Sequence, residues 1–263
     1  MTIRKGYADS SGGQIHFRQV EGAGTPLVFL HQTASSSQMW LKVMAELADW
    51  GRPLIALDTP GFGGSFDADP DSSPQMSDYA RWLREALGDL GIDRAHVVGH
   101  HTGACIAVEM VGKEPGLAAT LTLLGPVPLT EDERIEFSKH FGTPFTPTIS
   151  GSYLLENWEY LRNLGAHTDP MLIHREMADQ LRAWWGRVQS YGAVWTQDFK
   201  ATYEALEVPL MIGAAPEDVL YPFLERAAQL QPSARVIQIS GHNFEPDLDA
   251  ATIATELRAF CNE

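Results

Sequence analysis

The 263-residue sequence predicts an α/β chain, a mostly parallel central sheet with helices on both faces, interrupted by a helical cap insertion. Three observations carry that expectation. Continuous apolar runs such as Pro26-Leu27-Val28-Phe29-Leu30 and Leu54-Ile55-Ala56-Leu57 suit strands buried on both faces. Stretches with helical spacing alternate with those runs, and strands alternating with helices through short loops build a parallel sheet. From about Pro128 to Glu207 the strand rhythm stops and aromatic helical stretches replace it. The expected division is therefore a core of residues 1–127 and 208–263, with residues 128–207 as the cap.

Taken in order, Gln14-Ile15-His16-Phe17-Arg18 alternates like an early strand of an antiparallel pair. After the Pro26–Leu30 strand, Met39, Trp40, Val43, Met44 and Leu47 share a helical face within Ser37 to Trp50. Leu54–Leu57 ends at the turn-rich loop Asp58-Thr59-Pro60-Gly61-Phe62-Gly63-Gly64-Ser65. An amphipathic stretch from Met76 to Leu90 leads into the strand Val97-Val98, and Leu121-Thr122-Leu123-Leu124 is the next strand. Val208–Gly213 restores the rhythm after the insertion, followed by a helix around Phe223 to Leu230. Val236-Ile237-Gln238-Ile239 is the last strand, and Gly241-His242-Asn243 precedes a C-terminal helix.

Composition narrows the function. A formal net charge of −15 argues against nucleic acid or an anionic membrane as partner, because a phosphate backbone needs a basic surface. No apolar stretch is long enough to span a bilayer. Two cysteines, Cys105 and Cys261, make no disulfide framework, and Met1 to Gly6 lacks the apolar segment of a secretory signal. The expected compartment is the cytoplasm and the expected partner a small-molecule substrate, with a homodimer as the assembly the sequence allows.

The most informative stretch is Val97-Val98-Gly99-His100-His101-Thr102-Gly103-Ala104. A strand enters Gly-x-x-x-Gly and a helix leaves it. Glycines on either side permit a sharp strand-to-helix turn that lifts the central side chain above the sheet. The helix N-terminus there turns free N–H groups toward a reacting oxygen. The central residue is His101.

With these motifs the chain resembles the α/β-hydrolase fold family over nearly its whole length. The matching residues are His31-Gln32-Thr33, the Asp58–Ser65 loop, the elbow around His101, and Gly241-His242. The resemblance implies His242 as catalytic base and Asp218 as the acid that holds its tautomer, with Glu217 a close competitor and Asp132 a distant third. It also implies backbone N–H groups of Thr33 and Thr102 as an oxyanion hole. Two departures stand out. His101 occupies the position of the usual Ser, Cys or Asp nucleophile, and Gln32 replaces the glycine that usually follows the histidine of the oxyanion loop.

His31, Gln32, His100, Trp158 and Trp184 are the expected substrate-binding residues. His31, His100, His101 and His242 could converge, but no carboxylate or cysteine joins them at metal-site spacing, so neither a metal nor a cofactor is expected. Neutral imidazole is a competent nucleophile and base near pH 7. A His101–His242–Asp218 centre hydrolysing an ester, lactone or related acyl bond is the leading expectation. Proton abstraction from carbon, as in a lyase, decarboxylase or cofactor-free oxygenase, is the alternative, and a silent ligand-binding protein is the third.

Overall fold

The structure, a computed structural model, describes residues 2–262. The chain opens with β1 (Arg4–Ser10) and β2 (Gly13–Val20), followed by β3 (Leu27–Leu30), α1 (Leu41–Glu46) and β4 (Leu54–Leu57). Next come α2 (Met76–Asp89), β5 (Ala95–His100), α3 (Thr102–Lys113) and β6 (Ala118–Leu124). Five helices intervene before the sheet resumes: α4 (Glu131–Ser138), α5 (Ser152–Asn163), α6 (Pro170–Arg182), α7 (Trp184–Thr196) and α8 (Phe199–Glu204). The chain closes with β7 (Leu210–Ala214), α9 (Leu224–Leu230), β8 (Arg235–Gln238), α10 (Glu245–Leu248) and α11 (Ala250–Phe260).

The eight strands form one sheet in the order β1-β2-β4-β3-β5-β6-β7-β8. β1 and β2 pair antiparallel, as do β2 and β4; every other pairing is parallel. The expected mostly parallel sheet with helices on both faces is thus present. β1 is the element the apolar pattern misses, because Arg4, Lys5 and Asp9 lie exposed on an edge strand.

Burial on two faces explains the continuous apolar runs. In β3, Val28 and Leu30 pack with Leu83 and Leu87 of α2 and Ile106 of α3, while Leu27 and Phe29 pack with Val43 of α1 and Leu257 of α11. Each such side chain contributes about 1.5–3 kcal/mol of hydrophobic stabilisation, which fixes the register of the strand that ends beside the site. On α2, Met76, Tyr79, Ala80, Leu83, Ala86 and Leu87 form one buried stripe, the i, i+3, i+4 pattern of an amphipathic helix.

One buried carboxylate knits the loops above the sheet. Asp58, at the end of β4, accepts hydrogen bonds from the Ser37 N–H at 2.6 Å and the Gly64 N–H at 2.8 Å. Its Oδ2 also lies 2.7 Å from His16 Nδ1. Burial pushes its carboxyl up, but these hydrogen bonds and the neighbouring His31 outweigh that and bring the pKa down to about 2.

Candidate active site

β5 runs up through the middle of the sheet and turns at His101 into α3. His101 takes φ 50° and ψ −109°, a strained conformation for a residue with a Cβ. The turn is tight enough that a Cβ on Gly103 would lie 2.2 Å from the Leu30 carbonyl oxygen. Only glycine permits that approach of α3 to β3.

The turn delivers the His101 ring to Asp218, on the loop after β7. His101 Nε2 lies 2.6 Å from Asp218 Oδ2, and Asp218 Oδ1 accepts the Leu220 N–H at 2.6 Å. The carboxylate is 3% exposed. Because a carboxylate accepts, the shared proton sits on Nε2 and the ring lone pair is left at Nδ1, which has no hydrogen-bond partner among the described residues. An acid is therefore orienting an imidazole at the elbow itself.

Below this pair lies a second. His100 Nε2 is 2.8 Å from Glu245 Oε2, with both side chains fully buried, and Glu245 Oε1 accepts the Ala215 N–H at 3.1 Å. Burial, with the Asp218 charge and hydrogen bond adding to it, holds the Glu245 carboxyl well above the usual carboxylate range. Burial likewise holds His100 well below the usual imidazole value, with His101 and His31 adding to the effect. Burial thus favours the uncharged form of each. The two histidine rings stack at 4.2 Å with 29° between their planes.

Donor atoms of His100, His101, Asp218 and Glu245 all lie within 4.8 Å of one another, so a carboxylate-containing cluster of metal-ligand type does exist here. The sequence showed no such grouping because Asp218 and Glu245 lie far along the chain. Ligand atoms bound to one ion at about 2 Å keep separations of about 3 Å or more. The 2.6 and 2.8 Å contacts are instead those of hydrogen-bonded pairs, and an ion would have to break both.

His242 is placed differently from expectation. The family resemblance pairs it with Asp218, but Asp218 is held by His101. The His242 ring lies 6.0 Å from that of His167, with its Cβ against Gly165 beside α5. The cause is space: an imidazole at position 101 reaches the acid that a shorter side chain would leave free, and Glu245 fills the ground beneath. The next two residues, Asn243 and Phe244, line the cleft in its stead.

That cleft opens above His101. Gln32, Thr33 and Thr102 line it. Gln32 Nε2 donates to the Asn243 carbonyl at 3.0 Å, and Thr33 Oγ1 lies 2.8 Å from Ser190 Oγ of α7. His31 and His100 correct the expectation that they touch substrate. His31 is buried, its Nε2 accepting the Thr59 N–H at 2.9 Å and its Nδ1 donating to the Gln32 carbonyl at 2.7 Å. It sets the loop after β3 against the Asp58 loop, and burial, the largest influence, lowers its pKa. The expected tryptophans are also elsewhere. Trp158 packs in a cluster with Leu161, Leu172 and Phe244, and Trp184 is 41% exposed on the outer surface. The aromatic wall is made by Phe137, Phe141, Tyr160, Tyr191 and Trp195. Helical periodicity placed aromatics on these helices without saying which of them face inward.

Sequence reasoning missed Glu245, Glu176 and Gln180. Glu176 and Gln180, both on α6, line the cleft, and Ser35 Oγ donates to Glu176 at 2.8 Å. Ser36 Oγ donates to neighbouring Asp179 at 2.8 Å, and burial together with the Glu176 charge pushes the Asp179 pKa up to about 7. The available signal was two acids one helical turn apart in a segment otherwise expected to bury apolar residues.

Residues 25–146 match the family model of the alpha/beta hydrolase fold. The chain has the fold of the α/β hydrolases. The eight-stranded sheet agrees: the structure superposes on a bromoperoxidase from Bacillus anthracis with a TM-score of 0.82 at 19% identity, covering 99% of this chain and 100% of that one. It superposes on the enol-lactonase from Burkholderia xenovorans with a TM-score of 0.77 at 17% identity, covering 98% and 100%. In sequence it is 28% identical to the dihydrolipoyllysine-residue acetyltransferase component of the acetoin cleaving system of Cupriavidus necator, over 46% of this chain and 32% of that protein. The chain spans about a third of the length of the first curated relatives it matches. No helix among the described residues is long and apolar enough to cross a membrane.

The His101 ring is seated against Gly125, at the end of β6, as well as on Asp218. Gly125 has φ +61°, and a Cβ there would lie 2.3 Å from His101 Cδ2 and 2.6 Å from Nε2. Gly125→Ala is expected to push the ring off the carboxylate and lower kcat/KM about 100-fold in a chain that still folds, the cost of misplacing a reacting group by about 1 Å. Steady-state kinetics checked by circular dichroism would show this, and undiminished turnover would mean the ring works from another position.

Proposed function

We propose that this α/β-hydrolase fold protein hydrolyses an ester, lactone or related acyl bond of a small apolar or aromatic substrate, with His101 as general base. One observation carries the reading: Asp218 is hydrogen-bonded to His101 Nε2. That bond fixes the tautomer whose free Nδ1 lone pair can accept a proton, and it stabilises the imidazolium that results.

The chemistry then runs on water. Nδ1 takes a proton from a water molecule as its oxygen bonds to the acyl carbon. The carbonyl oxygen, gaining negative charge, is met by the N–H groups of Thr33 and Thr102. When the tetrahedral species collapses, the proton on Nδ1 passes to the departing oxygen and the neutral ring is restored. Attack by His101 itself is less well supported, because the acyl-imidazole would need a second base and His242 lies against His167. Residues 128–207 act in this reading as a cap that supplies the aromatic walls and excludes water beyond the reacting molecule. The enol-lactonase and bromoperoxidase neighbours support the fold.

A single turnover in ¹⁸O-labelled water tests the proposal across a panel of aryl esters and lactones. One label in the product carboxylate and no acyl adduct on His101 is the expected result. A trapped acyl-His101, or exchange of a substrate carbon-bound proton with deuterium but no hydrolysis, overturns it.

A further inference from the structure

The helices between β6 and β7 bury a cation that has no anion. Arg187 on α7 is 2% exposed, and no carboxylate of the described residues lies within ion-pair distance. Its guanidinium sits 4.9, 5.4 and 5.3 Å from the ring centroids of Phe145, Tyr160 and Tyr191. Nη1 donates to the Thr143 carbonyl, and Nε has no acceptor at all. Arg175 of α6 shows what this protein otherwise does with a sequestered guanidinium: it grips Asp247 with two hydrogen bonds, at 2.8 and 2.7 Å, and pairs with Glu176 as well. Three ring faces attract the Arg187 cation but supply neither a countercharge nor a hydrogen-bond acceptor. A buried charge in that condition is costly until something neutralises it.

Two further buried polar atoms nearby lack partners, Asn157 Oδ1 on α5 and Gln180 Oε1 on α6. Arg187, Asn157 and Gln180 line one cavity, together with Phe145, Tyr153 and Trp184. It is distinct from the cleft over His101, sharing only Gln180 with it. Leu181 and Trp184, both exposed, stand at its outer side. Each amide can turn its NH₂ toward an acceptor, so the three polar groups together can surround an anion.

We propose that this cavity binds a monocarboxylate with an aromatic or bulky apolar body, its carboxylate paired with Arg187 and flanked by the amides of Asn157 and Gln180. A single charge matches a single guanidinium, whereas a dianion would leave one charge unneutralised in a chain of net charge −15. A planar carboxylate also suits the fork of an arginine. The body of the ligand lies against Phe145, Tyr153 and Trp184. The site stands apart from the role given to His101, and its test reads binding, not turnover.

The experiment is calorimetric titration of the whole protein with benzoate, phenylacetate, the two corresponding primary amides, and inorganic phosphate. An arylcarboxylate is expected to bind at one site at least about tenfold more tightly than its amide, the margin of a charge-assisted hydrogen bond, and to raise the thermal midpoint. Phosphate is expected to bind more weakly than either acid. Arg187→Met should abolish the preference for acid over amide, Asn157→Leu should weaken acid binding, and His101→Gln should leave it unchanged. Equal binding of acid and amide, or no binding of either acid at millimolar concentration, overturns the proposal. So does loss of acid binding in His101→Gln, which would place the carboxylate in the central cleft, or phosphate binding as tight as the acids. If Arg187→Met does not fold, the acid-to-amide ratio of the parent protein and the Asn157→Leu titration decide.

Discussion

His101→Gln is expected to reduce ester or lactone turnover by about 10²–10⁴-fold, whereas His242→Ala should leave it close to that of the parent. The contrast follows from which histidine holds the acid. His101 Nε2 is 2.6 Å from Asp218, and His242 faces His167 and Gly165. Glutamine retains a donor for Asp218 but offers no basic lone pair to the cleft, so the loss reports proton transfer and not packing. Asp218→Asn should lose activity by a similar factor, since an amide neither selects the Nδ1 lone pair nor stabilises the imidazolium. The three variants need measured kcat and KM on one substrate together with unchanged circular dichroism. An inert His242→Ala beside an active His101→Gln would move the centre to His242 and sink the assignment.

Asp58→Asn is expected to destabilise the chain by about 3–5 kcal/mol, the cost of breaking a buried, hydrogen-bonded charge. The Ser37 and Gly64 N–H groups and His16 converge on this carboxylate. An amide would set its own N–H against one of those donors. In a chain of this size the thermal midpoint should drop by about 10 °C. The pH dependence has a definite sign. A folded-state pKa depressed from 3.8 to about 2 stabilises the protein above the unfolded value, and that stability is lost as pH falls through the folded one. The parent should therefore lose stability between those two values more steeply than Asp58→Asn. Thermal melts from pH 7 down to pH 2 would show it, and parallel curves would mean the carboxylate is not held as described.

Much of this architecture was legible in order along the chain. Runs such as Val28-Phe29-Leu30 and Leu54-Ile55-Ala56-Leu57 are apolar at every position because both faces of the sheet are covered, and that pattern needs no structure to interpret. The elbow was legible because Gly99 and Gly103 bracket a turn that other residues cannot make. The partnership of the acid was not. Asp218 lies within reach of two histidines by any count along the sequence, and only the length of an imidazole at position 101 decides between them. Glu245 was hidden for a related reason, since its meaning depends on His100 directly beneath the turn, 145 residues away. The tryptophans misled because helical spacing specifies a face and not what that face meets. Trp184 is largely turned to solvent, while Tyr191 and Trp195, about two and three turns later, meet the cleft.

The hydroxyl groups of Thr33, Ser35 and Ser36 each reach across to the inserted helices, to Ser190, Glu176 and Asp179. The loop that carries Thr33 is thus fastened to the same helices that wall the cleft. Lifting those helices to admit a molecule would unfasten the loop, and the amide would lose its aim until they settle again. On the hydrolytic role proposed for His101, catalytic readiness and closure become one event, so a compound too large for the helices to seat over would occupy the cleft and go unhydrolysed. Selectivity would then show in kcat more than in KM, with size, not affinity, separating substrates from bystanders.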